Sequence, residues 1–518
     1  MSLVVLNFLQ MKKTFASLIC FVFFVTGCAQ EDAQPTSAVD EENDILSLST
    51  TPSHEIVVGE EISTDSVLHP LMLGVIAGPD PSAPHPDAPD LTEQYQDIGI
   101  VSVRNNGYQD DRLSIEGIFN CGGDTYPSWE GCDANDDSFY NWEESDAQYQ
   151  SYIDGGFVPF LRIGGEWENM GDLHDFKGPQ NAIQESNWII AANKMVDRYE
   201  NWSEEPNAFT YVDIWTEFPG THFWDRSNGA FILFWIEAYK AIKAEHPNLK
   251  VGGPGFNAAV TVGVADGDGG AAESLLENMY NEGITLDWMG WHTFTSDPTL
   301  YAKAAQGYQD LLDGTGAFSD VSWAGTGFFK DTEVFTDAYG NGTGEAGMSE
   351  SQHFSVGTAP GTALLTAGWI SLQYADIQGA FYFRGNDYGD EQSANSGVGL
   401  FTTYGDYKPG SNAFRLWSVL TNSSDAILET NIPTDGSKEG LWALATQRSS
   451  GGINFLIANT GDMATSFSIT VDDKDILSFG TASAYIVDDT NDGLTEIPLT
   501  ENTISLPKGA VELIVLEP

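Results

Sequence analysis

Basic residues are scarce. Only 21 of the 518 residues are Lys or Arg, against 76 Asp or Glu, leaving a net charge of −55. A surface so acidic repels nucleic-acid phosphates and anionic lipid headgroups, which excludes nucleic acid as a partner. A surplus of carboxylates also keeps a protein hydrated in salt, so a saline habitat and simple secretion both stay open. No His/Cys/Asp cluster has zinc-site spacing, and no Gly-Lys-Ser/Thr phosphate loop occurs, so neither a metal nor a cofactor is expected. The acidic pairs Asp472-Asp473 and Asp488-Asp489, with Asn491-Asp492, read as solvated turns rather than a calcium site. Solenoid and propeller periods are absent. Against these absences stand 41% hydrophobic and 12% aromatic residues, enough for a large packed core and incompatible with general disorder. At this length, two or three domains are expected.

Four cysteines are present. Met11-Lys12-Lys13 followed by an apolar run at 18–25, too short to span a bilayer, leads into Val25-Thr26-Gly27-Cys28. That pattern resembles a bacterial lipobox, which implies that residues 1–28 are a lipoprotein signal and that the Cys28 thiol carries lipid. The expectation is an outer-membrane or cell-surface lipoprotein facing the periplasm or exterior and touching the membrane only through its anchor. Cys20 falls in the removed segment. In an exported, oxidising compartment, Cys121 and Cys132 are expected to pair, two buried free thiols being the alternative.

Residues 29–64 are acidic and polar without sustained apolar period and read as a tether. Over 65–425, eight short apolar runs alternate with helical stretches: 71–77, 98–104, 157–163, 211–216, 249–253, 286–292, 321–325 and 379–383. Between them Ile189, Ala192, Val196 and Tyr199 recur at helical spacing, as do Phe231, Trp235, Ala238 and Ile242 before Pro247. Eight strand–helix units predict a (β/α)8 TIM barrel, with a doubly wound sheet as the alternative. Residues 426–518 change texture: short strand-like runs at 440–446, 452–458, 466–471, 482–487 and 510–516 alternate with turn residues, predicting an all-β sandwich.

In such a barrel the chemistry lies at the carboxyl ends of the strands. Those ends carry Arg104-Asn105, Arg162 with Glu166-Trp167-Glu168, Trp215-Thr216-Glu217, Trp291-His292, Trp323 and Arg384-Gly385-Asn386-Asp387. Aromatic faces stack on sugar rings while carboxylates, amides and guanidinium groups bond their hydroxyls, so a carbohydrate is the expected partner. A glycosidic oxygen leaves only when protonated, which calls for a carboxylic acid in partly apolar surroundings. Glu217, between Trp215 and Phe218, fits that role.

Across residues 70–425 the sequence resembles the clan of (β/α)8 glycoside hydrolases, nearest the β-xylosidase and α-L-iduronidase group, family 39. The resemblance rests on Tyr126-Pro127-Ser128-Trp129, Phe160-Leu161-Arg162-Ile163 with Glu168-Asn169, Tyr211-Val212-Asp213-Ile214-Trp215-Thr216-Glu217, Lys250-Val251-Gly252-Gly253-Pro254 and Asp287-Trp288-Met289-Gly290-Trp291-His292. It implies that Glu217 is the general acid, with Thr216 replacing the clan's sugar-binding Asn. Glu168, Trp215, Thr216, His292, Arg104 and Trp323 are expected to contact substrate, His292 alternatively bonding a catalytic carboxylate. The clan's nucleophile is a Glu ending the seventh strand in a hydrophobic-Thr/Asn-Glu-Trp pattern. Alignment on 321–327 puts Ser322 or Trp323 there, so the nucleophile is missing and the second carboxylate is sought among Asp331, Glu333, Glu166 and Asp387.

Two functions follow: an exported glycoside hydrolase acting on a plant or algal glycan, or a glycan-binding lipoprotein on a degenerate barrel. A polysaccharide lyase using His292 and Arg104 is a third. Arg104, Arg112, Arg226, Lys330 and Arg384 are expected near the catalytic face and suggest an anionic sugar. Without a seventh-strand Glu, the expected outcome is inversion or no hydrolysis.

Overall fold

The computed structural model describes residues 52–62, 68–79, 89–105, 113–119, 132–165, 178–202, 210–221, 223–342, 356–375, 377–387 and 398–518. Thr50–Pro518 is one compact unit. Eight parallel strands close into a barrel: Gly74–Ile76, Ser102–Arg104, Val158–Arg162, Tyr211–Asp213, Lys250–Gly252, Trp288–Thr295, Glu333–Asn341 and Gly379–Tyr382. Closure is made by the eighth strand pairing with the first, Phe381 beside Gly74 and Tyr382 beside Val75. The (β/α)8 class read from the spacing of apolar runs is the class observed.

Helix ends follow local chemistry. Asn181 accepts from the backbone N–H groups of Ile183 and Gln184 to start Ala182–Glu200, and Ser227 accepts from Ala230 to start Asn228–Glu245. Each helix buries one apolar stripe against the barrel, Trp188, Ala192 and Val196 on the first and Phe231, Phe234 and Trp235 on the second. Inside the barrel, Phe160, Tyr211, Trp288, Phe335 and Phe381 fill the lumen with ring centroids 4.6–5.6 Å apart. Room for them comes from glycine: a Cβ on Gly74 would stand 2.7 Å from the Phe381 ring. This aromatic plug is the floor on which the strand-end residues sit.

The seventh strand is not where the apolar run at 321–325 predicts it. That stretch is a series of turns, with Gly325 and Gly327 in the left-handed region at φ 70° and 65°, which a strand does not tolerate. Its apolar content serves packing: Trp323 is buried and its indole donates to the Leu311 carbonyl at 2.8 Å. The strand is Glu333–Asn341, whose acidic start and central Thr336-Asp337 disguise it.

A second correction concerns the tether. His54–Glu61 is a strand, parallel to Thr465–Val471 and antiparallel to Ser424–Thr430, so part of the segment before the barrel belongs to the β module. Ile56 and Val58 point into that module's core while Glu55 and Val57 face out, an alternation readable as a half-buried strand. The module is a mixed ten-stranded sheet folded over its own apolar core, a β-sandwich. All five predicted runs of residues 440–516 appear, as Leu441–Arg448, Ile453–Asn459, Thr465–Val471, Thr481–Val487 and Val511–Glu517. The barrel's last helix, Pro409–Ser423, runs directly into Ser424–Thr430. Trp417 of that helix stacks on Trp369 of the preceding one at 4.9 Å, and Tyr374 donates to the Ala443 carbonyl of the sandwich.

Candidate active site

The strand ends assemble a buried cluster of alternating charge. Arg104, last in the second strand, donates from Nε and Nη2 to Asp213 Oδ2 at 3.1 and 2.6 Å, Asp213 being last in the fourth. The same Nη2 lies 3.0 Å from Oδ2 of Asp337, midway along the seventh strand. That oxygen is 3.4 Å from Nε2 of His292 on the sixth strand. The other ring nitrogen, Nδ1, is hydrogen-bonded to Glu217 Oε1 at 3.0 Å. Glu217 stands just past the fourth strand with a positive φ of 51°, unusual for a residue with a side chain. Its side chain is 30% exposed, whereas those of Asp213 and Asp337 are completely buried.

Glycines let the carboxylates sit so deep. A Cβ on Gly290 would stand 2.6 Å from Asp337 Oδ1, one on Gly255 2.8 Å from Asp337 Oδ2, and one on Gly253 2.5 Å from Asp213 Oδ1. Beside them Asn105 ties two strand ends together, donating to the carbonyls of Leu113 and Arg162 and accepting from the Arg162 N–H at 2.7 Å.

Burial alone would strip His292 of its proton, but the charges of Asp337 and Glu217 outweigh it and raise the imidazole to about 9. Asp337 is pulled the other way: burial favours its neutral form, and the adjacent His292 and Arg104 hold it below the ordinary carboxylate range. Asp213 is pushed up to about 6, burial and the charge of Asp337 prevailing over Arg104. Glu116, buried with the Trp188 indole donating to it, is raised to about 7 by burial. At neutral pH the cluster therefore holds a protonated imidazole beside an ionised buried carboxylate, its Nδ1 on Glu217.

Of the residues put forward from sequence, Glu217, His292 and Arg104 are brought together. Thr216 is buried at the same strand end, its methyl group toward Gly165. Trp215 is a correction: it is 1% exposed and points away from the mouth, its ring 5.8 Å from Trp188, Trp224 and Phe234 in the layer between barrel and helices. The strand's alternation, with Tyr211 in the lumen and Val212 in the outer layer, ends at Asp213, and both Ile214 and Trp215 then pack in the outer layer. Trp323 is another, buried ahead of the seventh strand rather than at its carboxyl end. Asp331 and Glu333 likewise precede or open that strand, at the opposite end of the barrel, where Glu333 accepts from the Tyr211 hydroxyl and from Lys250. Asp387 is at the mouth but buried, accepting from Lys408 and from the Gly399 N–H. Glu166, Glu168, Cys28, Cys121 and Arg112 lie outside the described residues; Cys132 is disulfide-bonded. The proposed cationic set is not gathered at one point: Arg104 is committed to Asp213 and Asp337, Arg226 to Glu185, and Lys330 lies ahead of the seventh strand. Arg384 is buried at the end of the eighth.

Sequence reading missed Asp213 and Asp337 as site residues. The signal for the second was present: Phe335-Thr336-Asp337 carries the hydrophobic-Thr-acid pattern sought at 321–327, with Asp in place of Glu. Among the described residues no group of three or more His, Cys, Asp or Glu is arranged to hold a metal ion, and no helix is long and apolar enough to cross a membrane.

No family model matches the chain. Solved structures do. A glucosidase from Croceicoccus marinus superposes with a TM-score of 0.65 at 17% identity, over 90% of this chain and 99% of that one. A GH39 β-xylosidase from Caulobacter crescentus gives 0.61 at 14% identity over 90% and 100%, and a family 51 α-L-arabinofuranosidase from Bifidobacterium longum 0.58 at 14% over 91% and 100%. Barrel and sandwich are thus shared as one two-part architecture with (β/α)8 glycoside hydrolases, the group to which the sequence motifs pointed.

Proposed function

We propose that this protein is a glycoside hydrolase with Glu217 as general acid, exported as a lipoprotein anchored through Cys28 and acting on a plant or algal glycan. The observation that carries the reading is the Glu217–His292 hydrogen bond at the carboxyl end of a closed barrel, on a floor of buried charge. Glu217 offers a carboxyl to solvent and has at its back a hydrogen-bond donor, His292 Nδ1, to stabilise the carboxylate it becomes. Protonation of the glycosidic oxygen lets the C1–O bond break, the leaving sugar departs as an alcohol, and water supplies the new hydroxyl at C1. With Asp331 and Glu333 at the far end and Asp387 held by Lys408, Glu166 remains of the acids considered for activating that water. The structural likenesses to enzymes named as a glucosidase, a β-xylosidase and an α-L-arabinofuranosidase select the first substrates to try.

A second reading, glycan binding without hydrolysis, is favoured by one observation: Asp337, the seventh-strand carboxylate, is completely buried. A panel of aryl glucosides, xylosides and arabinofuranosides with plant and algal polysaccharides, assayed for released reducing ends, separates the two. Release of sugar supports the hydrolase, and binding by calorimetry without release supports the second reading. Where hydrolysis occurs, proton NMR of the first-formed anomer is expected to show inversion. Retention with a trapped glycosyl-enzyme contradicts that route.

A further inference from the structure

We propose that Asp337 is a positioning residue, which orients His292 and holds it as an imidazolium with Nδ1–H on Glu217, and that it does not itself attack the sugar. The inference rests on the reading of Glu217 as general acid, and concerns how the carboxylate left by that acid is received.

Enclosure comes first. No part of the Asp337 side chain reaches solvent. Oδ1 lies against the backbone of Gly290 and Oδ2 against that of Gly255, so closely that neither position has room for a Cβ. The remaining approach to Oδ2 is taken by Arg104 and His292. An anomeric carbon has no path to either oxygen.

Charge comes second. Arg104 has its tighter partner in Asp213, at 2.6 Å against 3.0 Å, so neutralising Arg104 does not require Asp337. His292 does require it. The ring is buried, and the ionisable groups facing it among the described residues are Asp337 across the strand pair and Glu217 from the loop after the fourth strand, with Arg104 and Asp213 behind Asp337. A neutral imidazole has one N–H and satisfies only one of its two carboxylates, whereas the imidazolium serves both. Asp337 is the buried, unswerving member of that pair. It fixes which nitrogen faces Glu217 and stabilises the charge that makes Nδ1 a donor. When Glu217 gives its proton to the leaving oxygen it becomes a carboxylate and accepts from Nδ1–H; the proton of the attacking water goes to the base that activates it, and solvent reprotonates Glu217 before the next turnover.

Histidine titration by carbon–proton NMR on the full chain tests this without requiring turnover. The His292 signal is assigned by its loss in His292→Gln. It should remain that of an imidazolium through pH 8 in the wild type, and Asp337→Asn should lower its midpoint by about one pH unit or more, the effect of removing an opposite charge in contact. On a substrate the panel identifies, the alkaline limb of the kcat/KM profile should move down with it. A wild-type midpoint at or below the ordinary histidine value, an unmoved midpoint in a folded Asp337→Asn, or a glycosyl group trapped on Asp337 overturns the proposal. Should Asp337→Asn fail to fold, the wild-type midpoint still decides. If Glu217→Gln leaves glycan cleavage unchanged while His292 titrates as expected, the functional reading fails and the positioning role stands.

Discussion

Among the described residues, Glu217 is the one carboxylate of the charge cluster that solvent reaches. Its identity as a candidate was legible, because a Glu in an aromatic surround at the end of an apolar run is a local pattern. His292 and Arg104 were legible for the same reason. Asp337 was not, since its role depends on which backbone faces it, and the decisive neighbours are Gly255 and Gly290, residues with no side chain to read. That dependence gives a direct prediction. Gly290→Ala would place a methyl group 2.6 Å from Asp337 Oδ1. It is expected to lower stability by about 1–3 kcal/mol, the usual cost of overpacking, measured by denaturant unfolding, and to reduce activity beyond that loss in the folded fraction. Unchanged stability and activity would show that the sixth strand does not enclose Asp337 as described.

Among elements, the sequence signals that worked were periodic and those that failed were apolar runs serving another purpose. The stretch at 321–325 is as hydrophobic as a strand, yet its glycines adopt left-handed turns and Trp323 anchors it to the helix before it. The true strand, Glu333–Asn341, hides behind polar residues that the barrel mouth needs. Trp215 teaches the converse: an aromatic beside a catalytic candidate belongs to the helix layer. Trp215→Ala is therefore expected to cost about 3–5 kcal/mol of stability, while the milder Trp215→Phe, once folded, keeps the wild-type KM. A raised KM with intact stability would return Trp215 to the sugar site. His54–Glu61 was missed because an acidic neighbourhood masked the alternation of Ile56 and Val58. Ile56→Ala should destabilise the sandwich by about 2–5 kcal/mol, whereas a tether residue would cost nothing on thermal unfolding.

The whole molecule combines a net charge of −55 with one carboxyl placed deep in the sandwich. Glu512 is 1% exposed on Val511–Glu517, between Ile457 and Ile486 on the neighbouring strands, and its Oε2 has no hydrogen-bond partner among the described residues. Burial raises it to about 8, with no charged neighbour contributing. It is thus neutral in the folded protein where the unfolded chain, at about 4.3, is ionised. A raised carboxyl favours the fold fully below its unfolded value and loses that contribution as pH climbs to its folded value. Relative to Glu512→Gln, the wild type should lose thermal stability between about pH 4.3 and 8 and change no further above that. Parallel melting curves for the two proteins across this range would mean that Glu512 finds a partner or water.

The most direct test of the account compares wild type and Glu217→Gln on two substrates that differ only in leaving group, a natural glycan and its activated aryl glycoside. A general acid contributes about 10² to 10⁴ in rate where the departing oxygen must be protonated. A loss of that order is expected on the glycan and a much smaller loss on the aryl glycoside. Equal losses on both, or none on either, would contradict it and make Glu217 a binding or structural residue.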